Sequence, residues 1–79
     1  MYMPSFNFTV DGEPLSTAEH ELSPRQILQE AELDPSSYYL IELRGPEQIS
    51  FQSSPDSPIH MHDNLRFIAV FTGPVPVSR

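Results

Sequence analysis

Residues 23–35 read SPRQILQEAELDP, and their reading decides the kind of fold, because they carry a well-marked helix start. Ser23 reads as the N-cap and Pro24 as the first helical residue. Gln26 stands three positions after Ser23, the spacing of a capping box. Ile27, Leu28 and Ala31 fall on one face, while Gln29, Glu30 and Glu32 point to water. Asp34-Pro35 is expected to end the helix, since the residue before a proline avoids helical dihedrals. A helix of roughly ten residues with one apolar face can cover one side of a sheet.

The flanking segments supply that sheet. On the N-terminal side, SFNFTV (residues 5–10) alternates strictly, with Phe6, Phe8 and Val10 on one face and Ser5, Asn7 and Thr9 on the other. Asp11-Gly12 follows, a dipeptide suited to the positive φ of a tight hairpin turn, so the next segment is expected to return antiparallel. Pro14 cannot donate to a ladder and belongs at the start or on the edge of that return strand. On the C-terminal side, YYLIEL (residues 38–43) has strong strand propensity. Taking Tyr39, Ile41 and Leu43 inward leaves Leu40 and Glu42 outward. Arg44-Gly45-Pro46 makes a turn into a short strand around Ile49 and Phe51, and SSPDSP (residues 53–58) reads as a surface loop. DNLRFIAVF (residues 63–71) is the most apolar strand, with Leu65, Phe67, Ala69 and Phe71 on one face and Arg66, Ile68 and Val70 on the other.

The predicted order ββαβββ in a chain of 79 residues makes a single α+β domain with one core, near the lower size limit for a fold held by packing alone. It is the order of a β-grasp domain, with a mixed sheet of four to five strands packed on one helix. Residues 1–73 form that domain, and 74–79 are expected to be a flexible tail. With no cysteine, disulfides, thiolate nucleophiles and cysteine-ligated zinc are excluded. No apolar run approaches the roughly 20 residues of a membrane span, and MYMPSF lacks the regions of a signal peptide, so a cytoplasmic location is expected. A net charge of −7 argues against nucleic acid, because counterion release needs clustered cations. Partners are expected to be proteins with a basic surface. The four basic residues, Arg25, Arg44, Arg66 and Arg79, are all arginine, and the chain contains no lysine.

FTVDGEPL, then SPRQILQEAELDPSSYYLIEL, then DNLRFIAVF resembles the bacterial multi-ubiquitin family over roughly residues 6–71, in the order and spacing of its strand, VDG turn, helix start, leucine-Asp-Pro helix end, tyrosine-rich strand and final Phe-Ile strand. The resemblance implies a ubiquitin-like protein modifier from a bacterial operon, as in the Bil-type antiphage systems. It implies as partners a ubiquitin-type activating enzyme, a conjugating enzyme, a deconjugating zinc metalloprotease and a target protein, of phage or host. The modifier itself is no enzyme and needs no cofactor. Gly73 is then the acyl donor, since a residue without Cβ threads a narrow channel and leaves the acyl carbon open to attack. Phe71 and Thr72 form the approach to it, and the Gly73-Pro74 bond is where a pro-segment would be removed.

The residues allow blander readings too. Gly73 also reads as a strand terminator before a Pro-rich end, and a lysine-free modifier, unable to form lysine-linked chains, is also a product of compositional chance. His60 and His62 could share one side of a strand as a metal pair, but with no third ligand they read as exposed loop histidines. Leu40, Ile68 and Val70, bordered by Glu42 and Arg66, are expected to cluster on the sheet's outer face as a partner-binding surface, where ubiquitin carries its recognition patch. No constellation for catalysis is present. The alternatives to a modifier are a non-covalent interaction module and a sulfur carrier.

Overall fold

The computed structural model describes residues 5–72. The N-terminal hairpin forms as the alternation predicts: β1 (Phe6–Val10) and β2 (Glu13–Thr17) pair antiparallel, with Thr9 opposite Pro14. Asp11 and Gly12 hold φ of 54° and 83°, the two positive values of a type I′ turn. The turn is also pinned to the last strand, for Asp11 N–H donates to the Phe67 carbonyl at 2.9 Å and Asp11 Oδ1 accepts from Ala69 N–H at 3.1 Å.

After β2 the chain makes a two-residue strand, β3 (Glu21–Leu22), and enters helix α1 (Pro24–Glu30). Ser23 caps the helix with both halves of the capping box in place, and Pro24, Ile27 and Leu28 are buried. The helix stops earlier than the sequence suggests. Glu32 takes φ of 62°, Leu33 N–H reaches the Leu28 carbonyl at 2.9 Å, and Glu32 N–H reaches that of Gln29 at 3.0 Å. These bonds are a Schellman motif, with glutamate where glycine is usual. Glu32→Gly is therefore expected to stabilise the domain by about 0.5–1 kcal/mol, relieving a left-handed residue that carries a Cβ. A rise in the urea midpoint at unchanged slope would register it.

Two strands follow in hairpin, β4 (Tyr38–Arg44) and β5 (Glu47–Ser50), joined through Gly45 at φ 58° and Pro46. A second two-residue strand, β6 (Ile59–His60), pairs with β3, and β7 (Leu65–Phe71) closes the described fold. The main sheet has the order β2-β1-β7-β4-β5, with β1 and β7 parallel and the other pairs antiparallel. A mixed five-stranded sheet packed against one helix, with the last strand in the middle, is a β-grasp fold. Proline-bearing β2 lies on its edge, where a missing N–H is tolerated. The β3–β6 pair is too short to leave a periodic signal, and it was not expected.

The core lies between α1 and the inner face of the sheet. Phe8, Val10, Leu40, Leu65 and Phe67 meet Ile27 and Leu28 there, with Leu22, Ile59 and Met61 closing one side. The phase of β4 is the main correction. Leu40 is fully buried and Glu42 is 3% exposed, so these residues point inward, and Tyr39, Ile41 and Leu43 point outward. The register with β7 sets this phase, pairing Leu40 with Ala69 and Glu42 with Phe67 on the inner face. A one-residue difference in phase exchanges every side chain between faces.

The loop before β6 is tied to the helix start. Arg25 N–H donates to the Pro55 carbonyl at 3.0 Å, and Arg25 Nε meets Asp56 Oδ1 at 2.9 Å. The hydrogen bond from Arg25 holds the Asp56 carboxyl below its ordinary 3.8. Asp34 is lowered likewise, by the backbone N–H of Ser36 and then by its hydroxyl. A carboxyl depressed in the folded state contributes stability that is fully present above its unfolded pKa and is lost as pH falls through the folded value. The margin by which the wild type melts above Asp56→Asn should accordingly hold at neutral pH. It should shrink only below about the ordinary value of 3.8, as thermal melts across an acid series would show.

Candidate functional site

With α1 covering one face, the other face of the sheet is left open among the described residues. Tyr39 pairs with Val70, Ile41 with Ile68 and Leu43 with Arg66 across β4 and β7. In an antiparallel pair, directly opposed residues share a face. Five apolar side chains, Tyr39, Ile41, Leu43, Ile68 and Val70, therefore lie together, each half-buried. Arg66 ends this stripe and lies beside Thr9 of β1. Among the described residues the ion pairs are Arg25–Asp56, Arg44–Glu42 and, when the imidazole is charged, His60–Glu21. Arg66 thus has no carboxylate within pairing distance among them. A recess of about 360 Å³ flanks it, lined by Thr9, Asp11, Leu43 and Ile68 among others.

Of the five residues expected to form a partner surface, Arg66, Ile68 and Val70 are on the open face, and Leu40 and Glu42 are not. The interior claims Leu40 for its contact with the helix layer. Glu42 lies beneath Arg44, whose Nη2 approaches Glu42 Oε1 at 3.2 Å. Tyr39, Ile41 and Leu43 replace them. Their membership follows from register alone, since both faces of YYLIEL are apolar enough to be buried and no charge pattern separates them.

The other candidate site is the chain end. β7 runs through the middle of the sheet to Phe71, which is half exposed and meets the Tyr38 ring edge-on at 5.3 Å. Thr72 is held after it: its N–H donates to the Ser37 carbonyl at 2.6 Å, and its hydroxyl reaches the same oxygen at 3.3 Å. Backbone pairing therefore extends to the residue before Gly73. Gly73 and Pro74, with the rest of the expected tail, lie outside the described residues.

His60 and His62 are both exposed and flank buried Met61. Among the described residues no group of three or more His, Cys, Asp or Glu side chains could hold a metal ion. No helix there is long and apolar enough to cross a membrane. No protein-family model, curated protein or solved structure matches the chain.

Proposed function

We propose that this chain is a ubiquitin-like modifier of a bacterial conjugation system in an antiphage operon, acting in the cytoplasm. A zinc metalloprotease removes residues 74–79 and frees the Gly73 carboxylate. The activating enzyme joins that carboxylate to the AMP of ATP, with release of pyrophosphate. An enzyme thiolate then displaces AMP to give a thioester, and an amine of the target protein attacks the thioester and releases the thiol. The modifier contributes the electrophile and its presentation, and the enzymes contribute nucleophile, nucleotide and metal.

The observation that carries this reading is the β-grasp sheet with its last strand in the centre. Its pairing runs to Thr72, the residue before Gly73. A strand paired up to the residue before a glycine suits presentation of a carboxyl end to an enzyme channel.

Intact mass after co-expression with the neighbouring genes tests the proposal. The wild type is expected to lose the mass of residues 74–79 and to appear in larger adducts, and Gly73→Glu is expected to form none. A persistent full-length mass beside active enzymes would overturn it. A free thiocarboxylate in place of adducts would identify a sulfur carrier.

The open face favours a second reading, a non-covalent interaction module. Five clustered apolar side chains ending in an arginine without a carboxylate partner among the described residues make a surface suited to a protein. On that reading, Ile68→Glu abolishes partner capture while Gly73→Glu leaves it unchanged.

A further inference from the structure

Glu42 is the one buried charged side chain among the described residues, at 3% exposure. Its partner serves it loosely. Arg44 Nη2 lies 3.2 and 3.4 Å from the two carboxylate oxygens, and Arg44 Nε lies 3.4 Å from one of them, against the roughly 2.7–2.9 Å of a tight charge-assisted bond. The Arg44 side chain is itself 64% exposed, so the guanidinium caps the carboxylate from the solvent side. An ionised carboxylate has about four acceptor sites, and a buried charge is stabilised only when most of them are used.

Two cavities meet at this carboxylate. One, of about 370 Å³, is lined by Glu42, Arg44, Phe51, His60, His62 and Leu65 among others. The second, of about 350 Å³, shares Glu42, Arg44, His62 and Leu65 with it. The His62 ring is oriented by the backbone of the next residue, for its Nδ1 lies 3.1 Å from the Asp63 carbonyl oxygen. A carbonyl only accepts, so Nδ1 donates in this contact, and in the neutral tautomer that fits it Nε2 is the acceptor. The cleft thus has a buried carboxylate, an imidazole acceptor and apolar walls of Phe51 and Leu65.

We propose that this cleft binds a lysine side chain of a partner protein, its ammonium donating to Glu42 and to His62 Nε2 and its methylene stem lying against Phe51 and Leu65. A compact ammonium on a thin apolar stem fits beside Arg44, where a second planar guanidinium would be crowded. A metal ion is a poor occupant, because the described residues offer no trio of ligating side chains. This chain contains no lysine, so the occupant comes from another protein. The net charge of −7 draws in basic partners. The site centres on Glu42 of the inner face, its second cavity reaching Leu43 and Arg66 at the end of the open face, and it does not depend on conjugation through Gly73.

The test is a ¹⁵N NMR titration with the capped peptide acetyl-Ala-Lys-Ala-amide. Amide shifts are expected at residues 42–44 and 60–65, with affinity falling about tenfold in Glu42→Gln and about threefold in His62→Ala, the loss of a charge-assisted and of an ordinary hydrogen bond. The same peptide acetylated on lysine should leave those amides unmoved. Equal shifts from the acetylated peptide, or wild-type affinity in His62→Ala, would overturn the proposal. His62 is exposed, so that variant reports even if Glu42→Gln fails to fold.

Discussion

Replacing Phe67 by alanine is expected to destabilise the domain by about 3–5 kcal/mol, the range for removing a buried aromatic ring. A chain of this size holds a total of about 4–12 kcal/mol, so one substitution takes much of what is available. Phe67 is 1% exposed and packs edge-on against Phe8, with ring centroids 6.1 Å apart. It lies on the central strand, between β1 and β4, so a cavity there faces both halves of the sheet. Its backbone carbonyl also receives Asp11 N–H, tying the first hairpin to the last strand. Equilibrium urea unfolding checks the magnitude. Phe67→Leu, which refills most of the space, should cost about 1.5 kcal/mol or less. In a double-mutant cycle the Phe8–Phe67 pair should show about 0.5–1.5 kcal/mol of coupling. Equal losses from Phe67→Leu and Phe67→Ala would mean that ring volume is not what the site requires.

How much of this was legible in advance depends on whether a signal is local. The Ser23 cap, the Pro24 start and the Asp11-Gly12 turn are local backbone chemistry, and each appears where the residues predict it. The end of the helix was hidden because glutamate at position 32 gives no hint of a left-handed residue, and only the bonds from Leu33 and Glu32 reveal the stop. The two small strands at Glu21–Leu22 and Ile59–His60 are joined by pairing across 36 intervening positions, which no short pattern records. Within β7 the contrast of Arg66 with Leu65 and Phe67 set the phase. Within β4 both faces of YYLIEL are largely apolar, so nothing local sets the phase, and the expected placement of Leu40 and Glu42 on the outer face is wrong. Glu42 is held inside under its own Arg44, close to the β4–β5 turn. Arg66, Ile68 and Val70 could therefore be assigned to the open face from sequence, whereas their partners Tyr39, Ile41 and Leu43 required the register.

The same strand gives a paired prediction that separates the two phases in one experiment. Leu40→Thr is expected to cost about 3–5 kcal/mol, because it opens space in the core and buries a hydroxyl with no provided partner. Ile41→Thr should cost about 1 kcal/mol or less, since threonine keeps the branched shape favoured in strands and loses only a half-exposed contact with Ile68. The residues are neighbours in sequence and the substituted side chain is the same, so strand propensity nearly cancels between them. What remains is the face on which each one lies. Thermal melts of the two variants would decide it, and a larger loss at Ile41 than at Leu40 would restore the phase in which Leu40 and Glu42 face the solvent. The functional consequence follows directly. A folded Ile41→Thr or Ile41→Arg protein can be used to probe the open face for partners, while a Leu40 variant that fails to bind reports only on an unfolded core.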